Sequence, residues 1–184
     1  MARWPSDARG RLAKAAIELY ADRGFESTTA ADIAARAGLT ERTFFRHFAD
    51  KREVLFGGSA QLQELMVAAL RDAPPAASAI EAVAAGVAAA ASLLTDREFS
   101  QQRQRLIDSN PVLHERELIK MARLGAAFAA TLRERGVPEP VASVAAETGI
   151  AVFRVAFERW VKGTHNRTLR ACIEDGFRAL TMIA

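Results

Sequence analysis

One cysteine in 184 residues, Cys172, leaves no partner for an intramolecular disulfide and no thiolate set for zinc. Cys172 itself reads as a small core residue. No apolar run reaches the roughly 20 residues that a bilayer-spanning helix needs. The alanine-rich stretch 76–94 comes nearest, and Glu81 interrupts it. The opening MARWPSDARGR has no apolar core of the kind a secretory leader carries. The three histidines, His47, His114 and His165, are scattered, without metal spacing, and GxSxG, HExxH and phosphate-cradling glycine loops are missing. The absences together point to a soluble, cytoplasmic chain that is not an enzyme, needs no cofactor and enters no membrane. In that compartment the glycosylation-type triplet Asn166-Arg167-Thr168 carries no meaning.

What is present is apolar and helical. Half of the residues are hydrophobic, enough for one ordinary domain or two small ones sharing a core. The net charge of +3 is unevenly placed. Residues 1–52 hold ten Lys/Arg against seven Asp/Glu, and residues 53–184 hold fifteen of each, so the whole excess lies near the N-terminus. A basic module that meets a polyanion, joined to a neutral module with another task, fits this division.

Periodicity predicts helices throughout and no strand. The expected spans are 7–23, about 28–37, 40–48, 51–71, 78–94, 97–108, 111–135, 138–163 and 166–183. Gly24, Gly38 and Gly136 fall at helix ends. Pro111 and Pro138 fit first-turn positions. The architecture implied is all-α, with about nine helices. Residues 1–52 would form a three-helix domain with a helix-turn-helix, and 53–184 a second helical domain.

The stretch TTAADIAARAGLTERTFFRHFADK, residues 28–51, is the most informative. On a helix at about 100° per residue, Phe44 and Phe48 share one face and Arg42 and Arg46 the opposite one. Thr43 and His47 lie on one flank, Glu41 and Phe45 on the other. The aromatics can anchor the helix while the guanidinium groups face outward. Ile33, Ala34 and Ala37 offer a seat on the preceding helix, and Gly38 allows a tight turn. The pattern is that of a helix-turn-helix whose second helix enters a DNA major groove. Arginine forks suit guanine edges. Thr28, Thr29, Thr40 and Lys51, all at expected helix starts, suit phosphates.

Residues 24–56, GFESTTAADIAARAGLTERTFFRHFADKREVLF, resemble the N-terminal signature of the TetR family of bacterial repressors. The Thr-Thr pair, the Ile-Ala-x-x-Ala-Gly run, the Thr-Phe-Phe-x-His-Phe core and the lysine after a two-residue spacer carry the resemblance. It implies a homodimer on palindromic, double-stranded operator DNA, released by a small-molecule effector of unknown identity. It implies phosphate contacts from Thr28, Thr29, Thr40, Thr43, His47 and Lys51, and base reading around Glu41, Arg42 and Arg46. Phe45 stands where many members carry tyrosine. It cannot donate a hydroxyl bond, which leaves contact with a sugar, contact with a thymine methyl, or packing alone.

The remainder is less specific. Residues 149–157 are apolar nearly all round, which asks for cover on two sides. With the seam in 166–183, they suggest a subunit interface through Val152, Val155, Leu169, Ile173, Phe177 and Leu180. Met66, Phe99, Leu106, Met121, Phe128, Phe153 and Phe157 could line an effector cavity, with Arg103 to hold an acidic group. The same apolar residues would serve equally as plain core.

Overall fold

The structure is a computed structural model and describes residues 8–163 and 167–183. Within them are nine α-helices: α1 (Ala8–Arg23), α2 (Ala30–Arg36), α3 (Glu41–His47), α4 (Ser59–Arg71), α5 (Ala79–Ala89), α6 (Arg97–Ser109), α7 (Pro111–Glu134), α8 (Val141–Lys162) and α9 (Leu169–Leu180). Short 3-10 turns occupy Glu53–Phe56 and Ala90–Ser92, and no strand occurs among the described residues. His165 and Asn166 lie outside those residues. Among the described residues, no single helix is long and apolar enough to cross a membrane.

Two expected boundaries move. The helix expected over 51–71 starts only at Ser59. Asp50 Oδ1 accepts the amides of Arg52 and Glu53 at 2.8 and 3.0 Å, a local arrangement that competes with helix. Gly57-Gly58 then lowers helix propensity further. The helix expected from 138 starts at Val141, because Pro140 forms its N-cap.

The chain forms two compact units. The first runs to Ser59 and also takes in Gln101–Arg116; the second holds Ala60–Ser100 and the chain from Glu117. A division at residue 52 therefore misses part of the first unit. Val54, Leu55 and Phe56 are buried, as are Ile107 and Leu113. Arg103 Nε donates to the Leu55 carbonyl at 2.7 Å, and the Arg116 guanidinium pairs with the Glu53 carboxylate. Apolar burial of this kind contributes about 1.5–3 kcal/mol per large side chain, so these residues belong energetically to the N-terminal core.

In that first unit, Leu12, Ala16, Leu19 and Tyr20 of α1 face Ile33 and Ala34 of α2 and Phe44 of α3, all buried. Gly38 has φ +67°. Its amide bonds the Ala35 carbonyl, and the Leu39 amide bonds Ala34 at 2.8 Å. That bond pair is a Schellman ending, which requires a left-handed residue and so selects glycine.

The second unit is built on close approach. Met66, Leu70, Val83, Val87, Phe128 and Ile150 form its core with the inner faces of α8 and α9. Gly176 of α9 sits so near α8 that a Cβ there would lie 2.8 Å from Val152 Cγ1. Arg135 closes the exposed end of α4 by donating to the carbonyls of Arg71, Ala73 and Pro74 at 2.7, 2.9 and 2.8 Å.

Gly86 of α5 is a contact of the same sort. A Cβ at Gly86 would meet the Met66 carbonyl oxygen at 2.9 Å and Leu70 Cβ and Phe128 Cζ at 3.1 Å. Gly86→Ala should therefore destabilise by about 1–3 kcal/mol, although alanine is the better helix former. Urea unfolding should show a lower midpoint at constant slope; an unchanged or higher midpoint would mean that the three helices can separate freely.

Candidate nucleic-acid interface

Both short helices of the turn are capped by their own side chains. Thr29 Oγ1 accepts the Asp32 amide at 3.1 Å, while Asp32 Oδ2 accepts the Thr29 amide at 2.9 Å and its hydroxyl at 2.6 Å. This is a reciprocal capping box. The Thr29 hydrogen bonds hold the Asp32 carboxyl below its ordinary range. Thr40 caps α3 by accepting the Thr43 amide at 3.2 Å, and the two hydroxyls lie 3.0 Å apart.

α3 divides by face. Phe44 and Phe48 are buried, their ring centroids 5.6 Å apart, and the Arg9 guanidinium lies 5.3 Å over the Phe48 ring. On the other side Glu41, Arg42, Phe45 and Arg46 are exposed. Arg42 and Arg46 make no hydrogen bond or ion pair among the described residues. Phe45, 53% exposed, sets its ring edge-on to Phe44 at 5.3 Å. Thr29 and Thr40 are also exposed, and Thr43 is half-buried.

Two expected phosphate ligands are turned inward. Thr28 is only 1% exposed, and its hydroxyl donates to the Gly24 carbonyl at 2.9 Å and approaches that of Leu19 at 3.5 Å. Lys51 Nζ donates to the carbonyls of Phe25, Glu26 and Thr28 at 2.9, 3.1 and 3.0 Å, which uses all three of its N–H bonds. The carbonyls of the loop after α1 lie within the reach of the lysine, and the Phe25 carbonyl takes its bond in addition to the Thr28 amide at 3.4 Å. His47 is half-buried, and its Nε2 is enclosed without a hydrogen-bond partner. The Tyr20 hydroxyl donates to the Lys51 carbonyl at 2.6 Å; burial first, and then the charge of Asp50, push this phenol far above its ordinary range.

The expected cavity and interface also need correction. Met66 and Phe128 are fully buried and Phe153 nearly so, with Met121 and Phe157 packed against the same core; they fill space rather than line it. Phe99, half-buried, belongs to the same unit. Arg103 and Leu106 belong to the first unit, where the Arg103 guanidinium lies 5.0 Å over the Phe56 ring. Val152, Leu169 and Ile173 are buried within their own unit, because Gly176 lets α9 close directly on α8. Of the six interface residues, Val155 is 53% exposed, and Phe177 and Leu180 are half-buried. Val144, 62% exposed, is an apolar surface residue that the sequence pattern hid. With apolar residues all round α8, only the placement of α5 and α9 shows which side remains open.

The family description "Bacterial regulatory proteins, tetR family" matches residues 12–56. The chain is 31% identical over 112 residues to the transcriptional regulator TcmR of Streptomyces glaucescens, which covers 57% of this chain and 50% of that protein. It thus spans half or less of the curated relatives it matches. A tetR-family regulator from Syntrophomonas wolfei superposes with TM-score 0.68 at 17% identity, covering 96% of this chain and 94% of that one. Thermus thermophilus FadR, solved with lauroyl-CoA, superposes with TM-score 0.55 at 26% identity, over 94% and 93% of the two chains.

The two faces of α3 should respond differently to substitution. Phe44→Ala should cost about 3–5 kcal/mol of folding stability, whereas Arg46→Ala should stay within about 0.5 kcal/mol. Denaturant titration of the two variants measures both, and comparable losses would show that Arg46 has a structural partner.

Proposed function

We propose that the chain, whose residues 12–56 match the tetR family of bacterial regulatory proteins, is a sequence-specific DNA-binding transcriptional regulator of that family. In this reading it is a repressor, acts as a homodimer on a palindromic operator, and is released by a small-molecule effector. The observation that carries the reading is the outer face of α3. Two arginines four residues apart project from a helix locked by Phe44 and Phe48, and neither is engaged by an acid among the described residues. Free guanidinium forks on a rigid helix suit the O6 and N7 acceptors of guanine. The exposed hydroxyls of Thr29 and Thr40 suit the flanking phosphates.

The homodimer reading rests on α8. Val144, Ala151 and Val155 recur at spacings of seven and four on its exposed side, and Phe177 and Leu180 of α9 are half-exposed. A second copy would cover this face isologously and set the gap between two recognition helices to about one turn of duplex, roughly 34–36 Å. An effector shifts such a system only through unequal affinity for its two arrangements. The lauroyl-CoA held by the Thermus relative supports a small-molecule effector.

Selection of duplexes from a random pool, followed by salt-dependent titration, tests the reading. Binding should favour a palindrome and weaken linearly in log–log salt; equal affinity for every duplex, or none, would refute it. Arg46→Ala should relax base preference at one position per half-site by about 1–3 kcal/mol. A uniform loss on all sequences would make Arg46 a phosphate contact. Val155→Glu alters an exposed site, so the chain should keep its helical content but sediment as a monomer. A variant that still sediments as a dimer would move the interface elsewhere.

A further inference from the structure

Lys51 sits inside the candidate DNA-binding unit with its charge facing the protein. Its ammonium has three donors and no acceptor capacity, and the three donors meet the carbonyls of Phe25, Glu26 and Thr28. The ammonium also lies 4.5 Å over the Phe25 ring. The residue is held at its other end too, since its own carbonyl accepts the Tyr20 hydroxyl at 2.6 Å. Tyr20 in turn sets its ring edge-on to Phe25 at 5.1 Å. The set is closed: it ties the end of α1, the loop leading into α2, and the segment that follows α3. Thr28, whose carbonyl is one of the three acceptors, directly precedes the N-cap Thr29. Charge-assisted bonds are the strong class, and a phosphate contact would exchange three such acceptors for one.

We propose that Lys51 is a positioning residue of the DNA-binding unit: it holds the Phe25–Thr28 loop so that α2 starts in register with α3, and it makes no phosphate contact. The proposal rests on the DNA-binding reading above. Without the clamp the loop visits other conformations. If about a tenth of molecules keep the competent one, apparent affinity falls about tenfold.

Lys51→Met keeps the apolar stem and deletes the donors; Lys51→Arg restores them. Both are compared with the wild-type chain on the tightest duplex it selects, between about 50 and about 200 mM salt. Affinity of the methionine variant should fall about tenfold at an unchanged salt slope, with most of the loss recovered by arginine. Amide exchange over residues 25–30 of the free methionine variant should be faster. A slope shallower by about 0.9 with unchanged exchange would make Lys51 a phosphate ligand and overturn the proposal. Faster exchange with undiminished affinity would overturn it as well, since the clamp would then serve folding alone. Should the methionine variant not fold, the ammonium signal of Lys51 in the wild-type chain decides. A signal that stays put and exchanges slowly when duplex is added supports the clamp, and transfer of its bonds to phosphate refutes it. A wild-type chain that binds no duplex would sink the regulator reading instead, and the exchange comparison would still decide whether Lys51 holds the loop.

Discussion

Burial of Phe44 and Phe48 is the constraint on which the first unit turns. α3 has seven residues, far short of the roughly 12–15 at which an isolated helix becomes marginal in water. It exists because one face is taken out of water and its first turn is capped by Thr40. The same burial orients everything else on the helix. With Phe44 fixed inward, Arg42 and Arg46 have only the outward side available. The direction of the guanidinium groups is thus a consequence of hydrophobic packing, and electrostatics enters only when a partner arrives.

A second theme is the use of cations on backbone carbonyls. Lys51 takes three carbonyls of the loop after α1, Arg135 three at the end of α4, and Arg103 that of Leu55. The Arg97 guanidinium also reaches the Gly163 carbonyl. Carbonyls in the last turn of a helix have no intrahelical partner, and a loop carbonyl that already accepts an amide keeps a second lone pair; a long cationic side chain can bond either while its stem covers apolar surface. Of the positive charge in residues 1–52 that composition suggests for a polyanion, that of Lys51 is engaged within the fold.

The second unit shows where linear pattern loses information. α8 reads as apolar nearly all round, and the choice of buried side is made by two close approaches between helices, Gly149 of α8 against Val83 of α5 and Gly176 of α9 against Val152 of α8. Once α5 and α9 are seated, Val152 is interior and Val144 and Val155 are exterior. The same packing turns Met66, Phe128 and Phe153 from candidate cavity lining into core. Membership of residues 101–116 in the first unit was likewise invisible, because it depends on Arg103 meeting Leu55 and Arg116 meeting Glu53 across about fifty to sixty residues of chain.

Local chemistry, then, was legible from the chain alone: helices from periodicity, the turn from Gly38, the cap from Thr40, and the two faces of α3 from a spacing of four. Each depends on neighbours within a few residues, and short-range geometry repeats wherever those residues recur. Only the tertiary structure decided the direction of Lys51, the open side of α8 and the extent of the first unit. Those outcomes hang on contacts between distant segments, and a side chain that can equally reach outward or inward is settled by which unpaired group lies within its length.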